Sequence, residues 1–95
     1  MSIIKIKEID PAVALAEWRE TASCTRAQGK LAIGPTVWGQ VLEMLEDPET
    51  PWGLRVAVED TPAWNRNNED MAALIWAMGL TDEQADDLFR HAATL

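Results

Sequence analysis

The stretch "EDMAALIWAMGLTDEQADDLFRHAATL", residues 69–95, decides the fold, because it contains a helix, a glycine turn and a second helix. Its first half, "MAALIWAMGL", carries no charged residue, and its apolar residues recur at helical spacing. Gly79 stands where a helix commonly ends in a left-handed residue. Thr81 and Gln84 then match a capping box, the usual start of a new helix. The pattern predicts two helices, near residues 69–79 and 82–94.

The two helices differ in the breadth of their apolar faces. The first has a core face of Met71, Leu74, Ile75 and Met78, and alanines fill most of the remainder. Trp76 lies about 140° from Met71, where a charged residue is expected, and the sequence favours a core position over an interface. The second helix carries a narrow apolar stripe, which consists of Ala85, Leu88, Phe89, Ala92 and Leu95.

Two further helices are predicted upstream from their end signals. The first spans about residues 11–28, since Asp10 is an N-cap, Pro11 suits the first helical position and Gly29 supplies a stop. The second spans residues 35–46, begins at a Gly-Pro pair and ends before a proline.

Two other segments bear on a β element. Residues 3–8, in "IIKIKEI", alternate apolar and charged residues, which is typical of a half-buried strand. Residues 54–59 also alternate and would supply the partner strand, although they satisfy helical spacing as well. The predicted fold is mainly α, with four or five helices and a minor two-stranded β element at 3–8 and 54–59. The alternative is an α+β fold.

Size and composition indicate one folded domain over residues 1–95. The chain is 47% hydrophobic and 25% charged, which is ordinary for a globular protein. No apolar stretch approaches the roughly 20 residues that span a bilayer, and the N-terminus lacks the apolar region of a signal peptide. Cys24 is the single cysteine, so an internal disulfide is excluded and a reducing, cytoplasmic location is expected. No neighbouring residue suggests an activated thiol.

The net charge of −8 is unevenly distributed and argues against direct nucleic-acid binding. Residues 1–30 carry a net charge of +1, whereas residues 31–95 hold twelve carboxylates against three arginines. A nucleic-acid binder needs cations that displace counterions from phosphates. The spacing around Gly79 fits a DNA-reading helix-turn-helix, but the second helix would then present polar and acidic residues to phosphates: Asp82, Glu83, Gln84, Asp86 and Asp87.

No residue pattern indicates catalysis, a cofactor or a metal. Asp87 and His91 lie at i and i+4, but no third ligand is near in sequence, so a weak helix-stabilising contact is expected. Adjacent carboxylates such as Asp86 and Asp87 diverge by about 100° on a helix and cannot serve jointly as acid and base. The chain is therefore predicted not to be an enzyme, with no catalytic, cofactor-binding or metal-binding residues.

Residues 64–95, "WNRNNEDMAALIWAMGLTDEQADDLFRHAATL", resemble the C-terminal part of small proteins encoded in tail-gene regions of phages and prophages. The resemblance covers the last third of the chain. It implies a helix before Trp64, hence at residues 54–59, and it brings no assigned activity. The residues that carry it are Trp64, Arg66, Gly79, Leu80, Thr81, Asp82, Glu83, Gln84, Asp86, Leu88, Phe89, Ala92 and Ala93.

Five tryptophans are the unusual feature of the composition. Trp18 and Trp38 lie on apolar stripes and are predicted in the core. The other three lie in loops or away from an apolar stripe, where they either cover the core or form a contact surface. Because tryptophan and arginine dominate interface hot spots, the candidate interaction residues are Trp52, Trp64, Trp76, Arg55 and Arg66.

Together these patterns predict a small, mainly helical, cytoplasmic protein that binds another protein. Its partner is expected to be a phage tail component or a host protein, in the context of tail assembly. Neither a nucleic acid nor a membrane is expected as a partner. The alternative is an acidic phage-encoded inhibitor, which would mimic nucleic acid and occupy the basic groove of a host complex through electrostatic steering.

Overall fold

Six helices and a two-stranded antiparallel sheet make up residues 10–95, the part of the chain that the computed structural model describes. The predicted mainly α fold with a minor β element is confirmed, but it has six helices rather than four or five, because residues 11–28 do not form a single helix. The strand predicted at residues 3–8 lies outside the described residues. In chain order the elements are α1 (Pro11–Thr21), β1 (Ser23–Thr25), α2 (Arg26–Ile33), α3 (Pro35–Glu46), α4 (Trp52–Glu59), β2 (Ala63–Asn65), α5 (Glu69–Ala77) and α6 (Asp82–Ala92).

The single helix predicted over residues 11–28 is wrong, because the chain turns extended after α1. The Asp10 carboxylate caps α1 as expected, accepting a hydrogen bond from the Ala12 amide. At the other end Ala22 is extended, and its carbonyl accepts a hydrogen bond from the Arg66 amide at 2.9 Å. A new helix then starts at a capping box between Thr25 and Gln28. Residues 22–25 are therefore extended rather than helical, and β1 pairs with the distant strand β2.

The small sheet joins β1 to β2, with Cys24 opposite Trp64. These two central residues are buried and their neighbours along each strand are exposed, as the alternation of a strand requires. The strand predicted at residues 54–59, as the partner of residues 3–8, is wrong, because residues 54–59 lie in α4. Leu54 and Val58 are buried there, four residues apart on one helical face.

Trp64 occupies the centre of the core and contacts α2, α3 and α4. Its indole Nε1 donates a hydrogen bond to the Val58 carbonyl at 3.2 Å, and its ring stacks on Trp38 with centroids 6.0 Å apart. The prediction that Gly29 ends a helix is wrong, because Gly29 lies inside α2. A Cβ built on Gly29 would come within 2.2 Å of the Trp64 ring. Glycine at this position therefore allows α2 to approach the indole closely.

The two C-terminal helices bury the faces that the sequence predicts. Met71, Leu74 and Ile75 of α5 are buried, and Met78 packs partly against them. In α6 the stripe is buried at Ala85, Phe89 and Ala92, whereas Leu88 is half-buried and Leu95 is exposed. Among residues 10–95 the buried hydrophobic residues form one cluster, which consists of Cys24, Val41, Leu45, Leu54, Val58, Trp64, Met71, Leu74, Ile75, Ala85, Phe89 and Ala92.

The turn between α5 and α6 has the predicted chemistry. Gly79 has φ +72°, and the Leu80 amide donates to the Ile75 carbonyl at 3.2 Å, which is the hydrogen bond of a Schellman motif. The Thr81 hydroxyl and the Gln84 side chain then cap α6 reciprocally. The angle between these two helices is thus set by residues close together in sequence.

Two glycine-to-alanine substitutions inside helices are expected to have opposite effects on stability. Gly39→Ala in α3 meets no atom within 4 Å, so the alanine should raise the free energy of unfolding by up to about 1 kcal/mol. Gly29→Ala places a methyl group against the buried Trp64 ring and should lower the free energy of unfolding by about 1–3 kcal/mol. Chemical denaturation of both variants measures the two changes, and equal stabilisation would show that α2 does not press on the indole.

Candidate protein-interaction surface

The five predicted interaction residues fall into three environments. Trp52 and Trp76 are 74% and 82% exposed, and Arg55 is half-buried. Trp64 and Arg66 are buried, so in this fold neither side chain is available on the surface. The expectation that Trp76 is a core residue is wrong, since α5 packs through the opposite face. Trp18 and Trp38 are partly buried against the core, in line with their prediction.

Arg66 is held inside the protein by an ion-pair cluster around Asp86. Its guanidinium Nε lies 3.0 Å from Asp86 Oδ1, and Arg19 of α1 contacts the same carboxylate through Nε at 3.0 Å and Nη2 at 2.7 Å. Arg66 also reaches Asp82 Oδ1 at 3.2 Å. One buried carboxylate thus connects α1, the end of β2 and α6.

The arginines keep the Asp86 carboxylate charged despite its burial. The hydrogen bonds from Arg19 lower the pKa of Asp86, burial acts against them, and Arg66 lowers that pKa further. The Asp86 carboxylate in turn raises the pKa of Arg19. Since both carboxylate oxygens are occupied by guanidinium groups, the cluster is suited to holding elements together rather than to transferring protons.

Sequence reasoning placed Asp86 among the exposed acidic residues of α6 and missed the cluster. Arg19 and Arg66 are 67 and 20 residues away from it, so no local spacing indicates the pairing. The available signal was that Asp86 lies one turn before Phe89, at the border of the buried stripe. A carboxylate at such a border is buried only when a cation from elsewhere meets it.

Arg55 has a structural contact, and Trp52 lies apart from Trp76. The Arg55 guanidinium Nη2 donates to the Asp47 carbonyl at 2.6 Å, which ties α4 to the loop that follows α3. Trp52 is the first residue of α4, and a Cβ on the adjacent Gly53 would lie 3.9 Å from an Asp70 oxygen, at the start of α5. Trp76 lies near the other end of α5.

The outward side of α5 is an apolar surface flanked by two depressions. The depression on one side is lined by Ala72, Ile75, Trp76 and Leu80, together with Arg66 and the start of α6. On the other side Ala77 and Met78 meet α3 along a groove with three apolar residues and Gln40. We call this region the α5 surface and define it by its exposed and half-buried residues, which are Ala72, Ala73, Trp76, Ala77, Met78 and Leu80, together with Val37 and Met44 of α3.

Carboxylates border the α5 surface at both ends of α5. Glu69 lies seven residues before Trp76 and within about 20° of it around the helix, so it shares the exposed face. Asp82 lines the depression beside Trp76, and its side chain is 76% exposed even though one oxygen contacts Arg66. The α5 surface therefore has an apolar centre and an acidic border.

Every cation among residues 10–95 is engaged with a group of the protein itself. Lys30 lies 4.8 Å from the centroid of the Trp38 ring, and Arg26 donates to the Glu59 carbonyl. Arg90 contacts both Asp87 and the Trp18 ring. Arg19 and Arg66 contact Asp86, and Arg55 donates to the Asp47 carbonyl. None of the six forms an ion pair with Glu69.

Other groups that could carry chemistry are weakly placed to do so within the described residues. Cys24 is a buried free thiol, and burial raises its pKa, which keeps the less reactive thiol form. In residues 10–95 no three His, Cys, Asp or Glu side chains come together as a metal site. None of the helices in this part of the chain has the length and apolar character needed to cross a bilayer.

Comparison with family models, with curated proteins and with solved structures found no match to this chain.

The Asp86 cluster predicts a pH-dependent loss of stability. Asp86→Asn leaves two arginines facing a neutral amide and should lower the free energy of unfolding at pH 7 by about 3 kcal/mol or more. The folded-state pKa of Asp86 is lowered, so its contribution is present above the unfolded pKa of about 3.9 and is lost as the pH falls further. The difference between wild type and variant should therefore shrink below about pH 4.

Urea denaturation at pH 7 and at successively lower pH measures this difference. Asp87→Asn is the matched control, because Asp87 is the next residue, has a side chain that is 79% exposed and pairs with exposed Arg90. That variant should change stability little at any pH. A constant difference between wild type and Asp86→Asn across the pH range would show that the charge of Asp86 does not stabilise the fold.

Proposed function

We propose that this protein is a non-enzymatic interaction protein that binds another protein through the α5 surface. The observation that carries the proposal is Trp76, 82% exposed on a helix with no charged residue between Met71 and Leu80. An exposed helix face ordinarily carries polar residues, and tryptophan is the residue most enriched in binding hot spots. The α5 surface is thus an apolar face that a partner would cover.

The shape of the α5 surface supports a role in docking. Ala72, Ala73 and Ala77 leave the backbone of α5 accessible around the projecting indole, so a partner element can approach closely. The depressions on either side offer places for the partner's own side chains. Met44 and Met78 line one of them, and methionine adapts to the shape of what it contacts.

The non-enzymatic part of the proposal rests on the state of the reactive groups. The Asp86 carboxylate is occupied by two guanidinium groups, and the Cys24 thiol is buried with a raised pKa. Neither is placed to act on a substrate. A cytoplasmic location belongs to the same proposal, since a lone buried thiol suits a reducing compartment.

We further propose that the partner belongs to a phage tail or to a host protein met during tail assembly. This part rests on the resemblance of residues 64–95 to small phage tail-region proteins. Several residues of that pattern have structural roles here: Arg66 pairs with Asp86, Thr81 caps α6, and Trp64 fills the core. These residues of the pattern therefore stabilise the fold. Exposed Trp76 is not one of the residues that carry the resemblance.

The acidic inhibitor remains the second candidate because Asp82 and Asp87 of α6 are highly exposed. Asp86 does not contribute to such a surface, since it is buried and neutralised by two arginines. A nucleic-acid mimic would bind mainly through charge, so its affinity would fall steeply between about 0.1 and 1 M salt as the Debye length shortens. Apolar docking on Trp76 would persist at the higher salt concentration.

Trp76→Ala separates binding from folding. The thermal melt should stay close to that of the wild type because the indole is exposed. Partner binding should weaken by about 2 kcal/mol or more, the scale of a hot spot. Wild type and variant are immobilised, exposed to lysate from cells in which phage particles assemble, and the retained protein is then purified for calorimetric titration.

Trp52→Ala is the matched control, since it removes an equally exposed tryptophan from outside the α5 surface. It should retain the partner at wild-type affinity. Equal retention by wild type and Trp76→Ala would refute docking through the α5 surface. Release of the partner at high salt, with no effect of Trp76→Ala, would favour the inhibitor.

A further inference from the structure

We propose that the α5 surface receives a basic amphipathic helix of its partner, with an apolar stripe over Trp76 and lysine or arginine residues at its flanks. This inference rests on the proposed function and adds the chemical class of the partner. It follows from the combination of an apolar face around Trp76, the depression beside that residue and an acidic border.

The exposed face of α5 and the depression beside Trp76 have the form that suits a helix. Ala72, Trp76 and Leu80 give this depression an apolar lining, and Asp82 lies at its edge. Helix-in-groove recognition places apolar residues at i, i+3, i+4 and i+7 into such a surface. Alanines at positions 72, 73 and 77 permit close approach, so the partner helix can bury its stripe against both α5 and the projecting indole.

The charges around Trp76 determine the sign of the charges expected on the partner helix. Glu69 and Asp82 stand at the two ends of the exposed α5 face, about 10 Å or more apart along the helix axis. Glu69 forms no ion pair among residues 10–95, and Asp82 shares only one oxygen with Arg66. Cations on both flanks of a partner helix would meet these carboxylates, whereas acidic flanks would be repelled.

The same charges disfavour a second copy of this chain as the occupant. In an antiparallel two-fold pairing of α5, Glu69 of one copy would face the region of Asp82 in the other. In a parallel pairing, Glu69 would face Glu69. Residues 10–95 hold fifteen carboxylates and six cations, and those cations are engaged within the domain. Both arrangements therefore place like charges together.

Three fluorescein-labelled peptides test the partner class against the full-length protein. Each has about 18 residues, or five helical turns. The first has leucines at i, i+3, i+4 and i+7 with lysines elsewhere, and the second replaces the lysines by glutamates. The third has the composition of the first with its leucines dispersed around the helix. Fluorescence anisotropy at about 0.1 M salt measures their affinities.

The lysine peptide should bind about tenfold or more tightly than the other two. Trp76→Ala should weaken its binding about tenfold or more, and Trp52→Ala should leave it unchanged. Glu69→Gln combined with Asp82→Asn should weaken binding and reduce its salt dependence. Glu17→Gln combined with Glu20→Gln, on exposed positions of α1, makes the same change in net charge and should have little effect.

Each contrary outcome separates this inference from the proposed function. Equal binding of the lysine and glutamate peptides, both lost in Trp76→Ala, would refute the basic partner and keep the α5 surface as a docking site. Tight binding of the dispersed lysine peptide, or binding that ignores Trp76→Ala, would show attraction to the acidic protein alone and refute the inference. Binding of none of the peptides would refute it too. A Trp76-dependent dimer in sedimentation velocity would identify a second copy as the occupant.

Discussion

The fold depends on the carboxylate of Asp86, which lies between the guanidinium groups of Arg19 and Arg66. A buried charge is costly unless it is paired and its hydrogen-bonding capacity is filled, and here both conditions are met from two other parts of the chain. The same Arg66 follows β2, whose pairing with β1 ends α1 early. Arg66 therefore links two features of the fold. It contacts the carboxylate that joins α1 to α6, and it follows the strand whose pairing ends α1.

The core adds a second constraint that is steric rather than electrostatic. Trp64 projects from β2 into the interior, where Gly29 of α2 leaves room for its ring and Val58 of α4 accepts its indole hydrogen bond. A large aromatic ring buries much apolar surface, and its N–H donor is satisfied here by a carbonyl. Among residues 10–95 the sheet has three residue pairs, and its central pair places Cys24 and Trp64 in the core.

The use of α5 links the fold to the proposed function. One side of this helix is committed to the core through Met71, Leu74 and Ile75, which leaves Trp76 on the outside between two depressions. The ion-pair cluster holds the beginning of α6 against Arg66 and so fixes Asp82 at the edge of the α5 surface. On an apolar face with charged ends, a partner can be selected by both its shape and the sign of its charge.

The sequence by itself determined the features whose partners are a few residues apart. The cap at Asp10, the left-handed Gly79 and the capping box at Thr81 each close hydrogen bonds within a turn of helix, so their spacing is visible in the sequence. Only the tertiary structure decided which tryptophan is buried and which is exposed. Trp64 enters the core because a distant strand and a glycine receive it, and Trp76 stays outside because the opposite face of α5 is already filled. Burial depends on contacts between distant residues, and periodicity alone does not specify those contacts.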